Sequence, residues 1–416
     1  MPDPDIVIIG AGHNGLVAGI VMARAGFRVT VVEANPKRAG GALGSEEATL
    51  PGYIHDVGAA FFPFARASPA FADIGLGKRV TWHNMPLESC HPAPDGSVAC
   101  IKRGASGAGE IFGTPEDGAA WEDLVRWHGR IERSLLDLLL RPFPTLRPVF
   151  SLLPFDLFRL LRIMLSSGRG LAERMYQSDA ARRVLPGLAL HVDVGPDDLF
   201  GAALGYMLGL TATTGGYCIP ESGAQKVADA LVALLEEHGG EVVLGQAVSR
   251  VRVEGKRAVG VVLRDGQEIS AKRAVFANTG APSLLLDLIA RQHMPGRVVR
   301  AMERFPRGWG TFKVDWALSK PVPWALEPAS RSAVVHAGDS LDDLSQFTNQ
   351  VRSGELPDNP YLVIGQQSLA DPTRTPDDGH TLWAYSRVPP ALEGGWSNHA
   401  EAFADRVDAR IEGLAP

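Results

Sequence analysis

Three observations predict an α/β chain with a doubly wound, Rossmann-like sheet, a helical insertion and an antiparallel-sheet domain. The first forty-five residues hold a complete strand–helix–strand unit around a glycine-rich turn. Strand signals then fade from Ala65 to Thr214, where helical patterns dominate. Beyond residue 286, short runs alternate in polarity as half-buried strands do. The expected units are 1–65 and 215–285 for the two parts of the nucleotide domain. A mostly helical insertion or cap fills 66–214, and a substrate domain fills 286–416.

Asp5 to Ile9 is a β-branched run that reads as a buried parallel strand. Gly10-Ala11-Gly12-His13-Asn14-Gly15 follows, then Leu16 to Arg24, a helix expected to stop at Gly26. Arg28 to Val32 reads as a second buried strand, ending on Glu33. This is the dinucleotide fingerprint in its proper setting. Gly10 permits the tight turn, Gly12 lets the backbone approach a pyrophosphate, and Gly15 lets helix and strand pack closely. The phosphates would sit at the helix N-terminus, where free N–H groups and the dipole favour an anion. Glu33 would accept from ribose hydroxyls and repel a 2′-phosphate.

After Glu33 and Ala34 come Arg38, Gly40, Gly41 and Ser45. Here the chain resembles the FAD-containing oxidoreductases of the phytoene-desaturase and amine-oxidase type, which carry Arg-x-Gly-Gly-Arg-x-x-Ser/Thr after the ribose-binding Glu. Ala42 replaces the second Arg of that motif, which removes one phosphate contact. The resemblance implies that FAD is the cofactor. It places Ala34, Arg38, Gly40, Gly41, Ala42 and Leu43 beside the dinucleotide, and Gly58 and Ala59 beside the isoalloxazine ring. It also brings the backbone of Val248 to adenine, and Ala277 and Asn278 to the edge of the site. His55 reads as a structural or rim residue.

Trp121 to Leu140 reads as one helical region stopping near Pro142. Phe150 to Leu165 is rich in Leu and Phe, with Arg159 and Arg162 interleaved. A plain helical core is the preferred reading of that stretch. A cap over an apolar substrate and a membrane-touching surface are its alternatives. Gly215 to Gly223 resembles the family's return to the nucleotide domain. A helix carrying Val227, Leu231, Leu234 and Leu235, a strand at Glu241 to Leu244 and a hairpin through Arg264-Asp265-Gly266-Gln267 follow. Ala274 to Ala277 is a further buried strand. In the last domain Thr311 to Leu318, Val334 to Gly338, Tyr361 to Gly365 and Thr381 to Ser386 read as strands, and Glu401 to Ile411 as a helix. Lys313 and His336 are candidate substrate-binding residues, although a solvated face or a salt bridge is the preferred reading of Lys313, which shares a strand face with Asp315.

The net charge of −6 and the lack of a dense basic run argue against nucleic acid. Cys90, Cys100 and Cys218 form no CxxC, and the eleven histidines show no metal-ligand spacing, so neither a redox disulfide nor a metal site is expected. The expected location is cytoplasmic, with peripheral membrane contact an added expectation. Taken with the resemblance, these features imply an FAD-dependent oxidoreductase that removes hydride from a C–H bond of an apolar, carotenoid- or lipid-like substrate. Two rivals stand beside it: a flavin amine oxidase, which needs an aromatic cage, and a non-catalytic binder like the GDP dissociation inhibitors of small GTPases, which resemble this fold. No residue stands out as a catalytic base, and neither electron acceptor nor oligomeric state is indicated. Nothing after Ser386 matches the Gly- and Pro-rich turn and helix that close the family's flavin site. The expectation is therefore that this segment is missing from the 416 residues, and that they hold FAD weakly without it.

Overall fold

The computed structural model describes residues 3–142 and 147–416. Residues from both ends of the first two-thirds of the chain build a four-stranded parallel sheet in the order Ala274–Ala277, Ile6–Ile9, Val29–Val32, Glu241–Val243. The period of two sends Ile6 and Ile8 to one face and Val7 and Ile9 to the other. The first face packs on the helices His13–Arg24 and Gln225–Glu237 through Leu16, Ile20, Leu231 and Leu235. The second packs on a three-stranded antiparallel sheet, Val248–Glu254, Arg257–Leu263 and Glu268–Ser270, through Val251, Val261 and Leu263. Both faces are covered, which is why the strands read as continuous apolar runs.

The second sheet has six strands in the order Gly310–Leu318, His380–Val388, Leu362–Gly365, Ser332–Ala337, Leu87–Pro92, Val98–Lys102. Two of these strands lie inside 66–214, so that stretch is less helical than expected. The sheet is also mixed, because Ser332–Ala337 runs parallel to Leu87–Pro92. The strand at 87–92 escaped notice because Glu88, Ser89 and His91 are buried there despite their polarity. Each has partners: Glu88, for example, accepts from the Tyr217 N–H at 2.6 Å and pairs with Arg103 at 2.5 Å.

Between these strands and the return at Gly215, helices do dominate. Pro115–Leu140 starts in a reciprocal cap of Thr114 and Asp117 and buries Trp121, Leu124 and Ile131. Pro154–Met164 corrects the preferred reading of the Leu/Phe-rich stretch. It buries Leu160 and Ile163, but Phe155, Phe158 and Leu161 on its opposite face are 70%, 64% and 48% exposed. Both faces of this helix are apolar, so composition alone does not reveal that one of them lacks a partner. Phe150, Leu153 and Leu165 continue the exposed strip.

Three distant segments meet at a buried ion-pair cluster. Arg374, 1% exposed, donates to Asp56 at 2.7 Å, to Asp371 at 2.9 Å and to the Pro220 carbonyl at 3.0 Å. Asp56 also accepts from Ser45 Oγ at 2.6 Å and the Ala224 N–H at 2.8 Å. The cluster fixes the loop that runs from Asp56 into Gly58 and Ala59.

Candidate functional site

The glycine-rich turn is shaped by its neighbours. Gly10 adopts φ +91°, and a Cβ there would lie 2.6 Å from the Asn278 carbonyl oxygen. A Cβ on Gly15 would lie 2.4 Å from the Gly10 oxygen. Asn278 follows the strand Ala274–Ala277, whose last residue pairs with Ile9. With its amide oxygen turned toward the helix, Asn278 accepts from the Gly12 and Gly15 N–H groups at 3.3 and 3.1 Å. Ala277 and Asn278 thus hold the turn from beneath. The first helical turn at His13 and Asn14 is left as the place for an anion. Burial pushes the His13 imidazole down, so that ring stays neutral near pH 7 and the positive potential here is that of the backbone.

The Gly40–Leu43 loop lies against the turn. Gly40, at φ +117°, donates to the Ala11 carbonyl at 2.8 Å and bridges to Gly12. A Cβ on Gly41 would lie 3.4 Å from the Gly12 Cα. These three glycines leave a bay of bare backbone. Arg38 folds its guanidinium over Gly44, into space a Cβ would fill, and reaches the Gly41 carbonyl at 3.5 Å. Exposed Ala42 accepts from the Ala59 N–H at 2.9 Å, joining this loop to Gly58 and Ala59.

Glu33 ends its strand half-buried at the rim of the bay. Its two carboxylate oxygens accept from the Ala11 N–H at 2.8 Å and the Asn35 N–H at 2.9 Å, and each keeps lone pairs for a ribose. Ala34 is exposed beside it. Val248 starts its strand two residues after Gln246, which donates to the Glu33 carbonyl at 2.8 Å. The arrangement fits a dinucleotide: a cradle free of Cβ atoms, helix N–H groups, one guanidinium and one ribose-facing acid. Glu33→Ala is expected to weaken FAD binding by about 1.5–3 kcal/mol, the scale of hydrogen bonds to a charged group. Equilibrium titration of apoprotein with FAD checks this, and unchanged affinity would remove Glu33 from the site.

Two cavities adjoin. One of about 390 Å³ is walled by His13, Asn14, Val17, Leu43 and Phe71. The other, of about 250 Å³, is walled by Gly58, Leu208, Val334, Val363 and an aromatic group. They share Ala59, Phe61 and Pro63. The aromatic group is Phe61, Tyr217, Trp383 and Tyr385, with Trp383 and Tyr385 stacked at 5.8 Å and 11°. His336 and His191 also line this second cavity. Lys313 does not. It pairs with Asp315 and sits 5.8 Å over the Trp383 ring. Asp315 in turn lies 3.1 Å from buried His55. His191, Tyr217, Trp383 and Tyr385 carry no local signal, because three segments far apart in the chain bring them together.

The model of the family described as flavin containing amine oxidoreductase matches residues 15–345. Pyridine nucleotide-disulfide oxidoreductase domain-containing protein 2 of Rattus norvegicus is 24% identical over 484 aligned positions, covering 100% of this chain and 79% of the relative. Phytoene desaturase (neurosporene-forming) of Rhodobacter capsulatus is 26% identical over 427, covering 98% and 77%. The crystal structure of an oxidoreductase from Methanosarcina mazei superposes with a TM-score of 0.64 at 16% identity, over 99% of this chain and 84% of that one. The chain belongs to the flavin containing amine oxidoreductase family and is an FAD-dependent oxidoreductase.

Proposed function

We propose that this chain removes a hydride from a C–H bond of an uncharged apolar substrate, in the manner of a dehydrogenase or desaturase. FAD, when bound, supplies the hydride acceptor. The observation that carries the reading is the aromatic and aliphatic cavity at Gly58 and Ala59, contiguous with the space beside the glycine-rich turn. Residues Gly10 to Gly15, Glu33 and Arg38 to Leu43 hold the dinucleotide. Ala277 and Asn278 brace the turn, and Val248 stands on the adenine side. Phe61, Leu208, Val334 and Val363 exclude water and orient the substrate. A cavity of about 250 Å³ lies below the roughly 300–1,000 Å³ that drug-sized ligands fill. It therefore suits a compact molecule, or one segment of a carotenoid- or lipid-like chain.

The aromatic group favours a second reading, amine oxidation. Among the described residues no carboxylate lines the cavity. A buried ammonium without a counter-charge costs several kcal/mol, against roughly 0.5–2 kcal/mol from a cation–π contact. Charge therefore weighs toward a neutral substrate. Anaerobic mixing of the FAD-loaded protein with limonene, cyclohexanol and cyclohexylamine tests this through loss of the flavin's visible absorbance. Bleaching by limonene or cyclohexanol is expected. Bleaching by the amine alone would overturn the reading.

The strip of Phe150, Leu153, Phe155, Phe158, Leu161 and Leu165, with exposed Arg162 beside it, supports peripheral contact with an anionic lipid surface. Among the described residues no helix is long and apolar enough to cross a membrane. The chain should co-sediment with phosphatidylglycerol-containing vesicles, and the Phe155→Ser/Phe158→Ser variant should stay in the supernatant. Equal recovery of both would remove the lipid contact.

A further inference from the structure

A chain of hydrogen-bonded side chains runs away from the cavity and has no part in the function proposed above. Tyr385 Oη lies 2.9 Å from His191 Nδ1, and His191 Nε2 lies 2.9 Å from His336 Nε2. His336 Nδ1 lies 2.9 Å from Ser89 Oγ, which lies 2.9 Å from His91 Nε2. Four separate segments supply these groups: strands Leu87–Pro92, Ser332–Ala337 and His380–Val388, and the turn Leu190–Val192. His91 and His336 also stack, with centroids 4.6 Å apart.

Burial pushes the His91 imidazole down to about 3 and that of His191 to about 4, and holds that of His336 well below its ordinary value. All three rings are therefore neutral, each with one N–H and one lone pair. Two arrangements then satisfy every link. In one, Tyr385 donates to His191, and each later member donates onward toward His91. In the other, every bond is reversed and the Tyr385 hydroxyl is free to donate into the cavity. Both nitrogens of His191 and His336 are committed in either case. Of the chain members that line the cavity, only Tyr385 keeps spare capacity for a ligand. Trp383 lines it too, and its indole N–H has no partner among the described residues. Such a buried donor wants an acceptor.

We propose that the cavity takes an apolar molecule bearing one oxygen acceptor, a hydroxyl or a carbonyl, anchored by the Tyr385 hydroxyl, whose direction the histidine chain sets. This rests on the substrate cavity proposed above and narrows its occupant. A hydroxyl both donates and accepts, whereas a carbonyl only accepts. A reversible chain serves both, because Tyr385 can accept from the first and donate to the second.

The test uses the FAD-loaded protein with cyclohexane, cyclohexanol and cyclohexanone as probes. The alcohol and the ketone are expected to bind about 5- to 20-fold more tightly than the hydrocarbon, the scale of one satisfied buried hydrogen bond. Tyr385→Phe should remove most of that difference. In the cyclohexanone complex, ¹⁵N NMR of the histidines should place the ring proton on Nδ1 of His191 and on Nε2 of both His336 and His91. A merely structural cluster would not answer to the ligand in this way. If Tyr385→Phe fails to fold, the tautomers of the native chain still decide. Cyclohexane binding as tightly as the ketone, no binding of any probe, or any other tautomer set in the ketone complex would overturn the anchor. Flavin bleaching by a hydrocarbon with no preference for the ketone would overturn the anchor alone. The expected tautomers without bleaching by any apolar compound would overturn the proposed function alone.

Discussion

Gly12→Val is expected to abolish FAD binding and leave a folded protein. The Gly12 backbone, at φ −69°, suits any residue, so valine adds no backbone strain. Within 4 Å its Cβ would meet only the end of the Asn278 side chain, at 2.7 Å, and an amide can rotate away. The isopropyl group then takes space that a pyrophosphate lying against the Gly12 backbone would need. Losing two charge-assisted hydrogen bonds at about 1.5–3 kcal/mol each would cut affinity by about 10²–10⁴-fold. Displacing Asn278 from the helix N-terminus should cost only about 1 kcal/mol of stability. Gly15→Ala is the control. Its Cβ would strike the Gly10 backbone oxygen, so that variant should lose stability as well as flavin. FAD titration beside thermal unfolding checks both. A Gly12→Val protein with full flavin occupancy would place the dinucleotide elsewhere.

Arg374→Ala should be the most damaging change outside the cofactor bay. It would leave Asp56 and Asp371 buried without their cation, which typically costs about 3–5 kcal/mol. Arg79→Ala breaks a pair of equal length, Arg79 to Glu237 at 2.7 Å, but both of its partners are more than 40% exposed. Water already screens that pair, so its loss should leave stability nearly unchanged. Urea unfolding of the two variants should separate them clearly. Similar midpoints would show that the Asp56–Arg374–Asp371 cluster is not what holds the Gly58 loop.

The parts of this fold that were legible are those in which one local pattern carries one meaning. The run Ile6–Ile9, the turn Gly10 to Gly15 and the strand ending at Glu33 lie within thirty residues, and each needs only its neighbours to be understood. The helix Gln225–Glu237 announced its buried face through Val227, Leu231, Leu234 and Leu235. Strand Leu87–Pro92 was not legible, because its polar residues are satisfied by Arg103, Tyr217 and His336 from other elements. Helix Leu341–Ser353 also went unnoticed, although Ser340 caps it and Leu344, Thr348 and Val351 share its buried face. The site divides in the same way. The cofactor bay is local in sequence, whereas the cavity of His191, Tyr217, Trp383 and Tyr385 exists only once segments far apart in the chain are folded together. Asp56, two residues before Gly58, clamps Arg374 with its side chain, and Gly58 and Ala59 form the cavity wall.

The central claim is that the bay at Gly12, Glu33 and Gly40 holds FAD. Chromatography of the cofactor released from the purified chain, with its visible spectrum before release, tests this most directly. The account predicts FAD as the released species, taken up again by the native chain and not by Gly12→Val. Stoichiometric NAD with no flavin absorbance would contradict it.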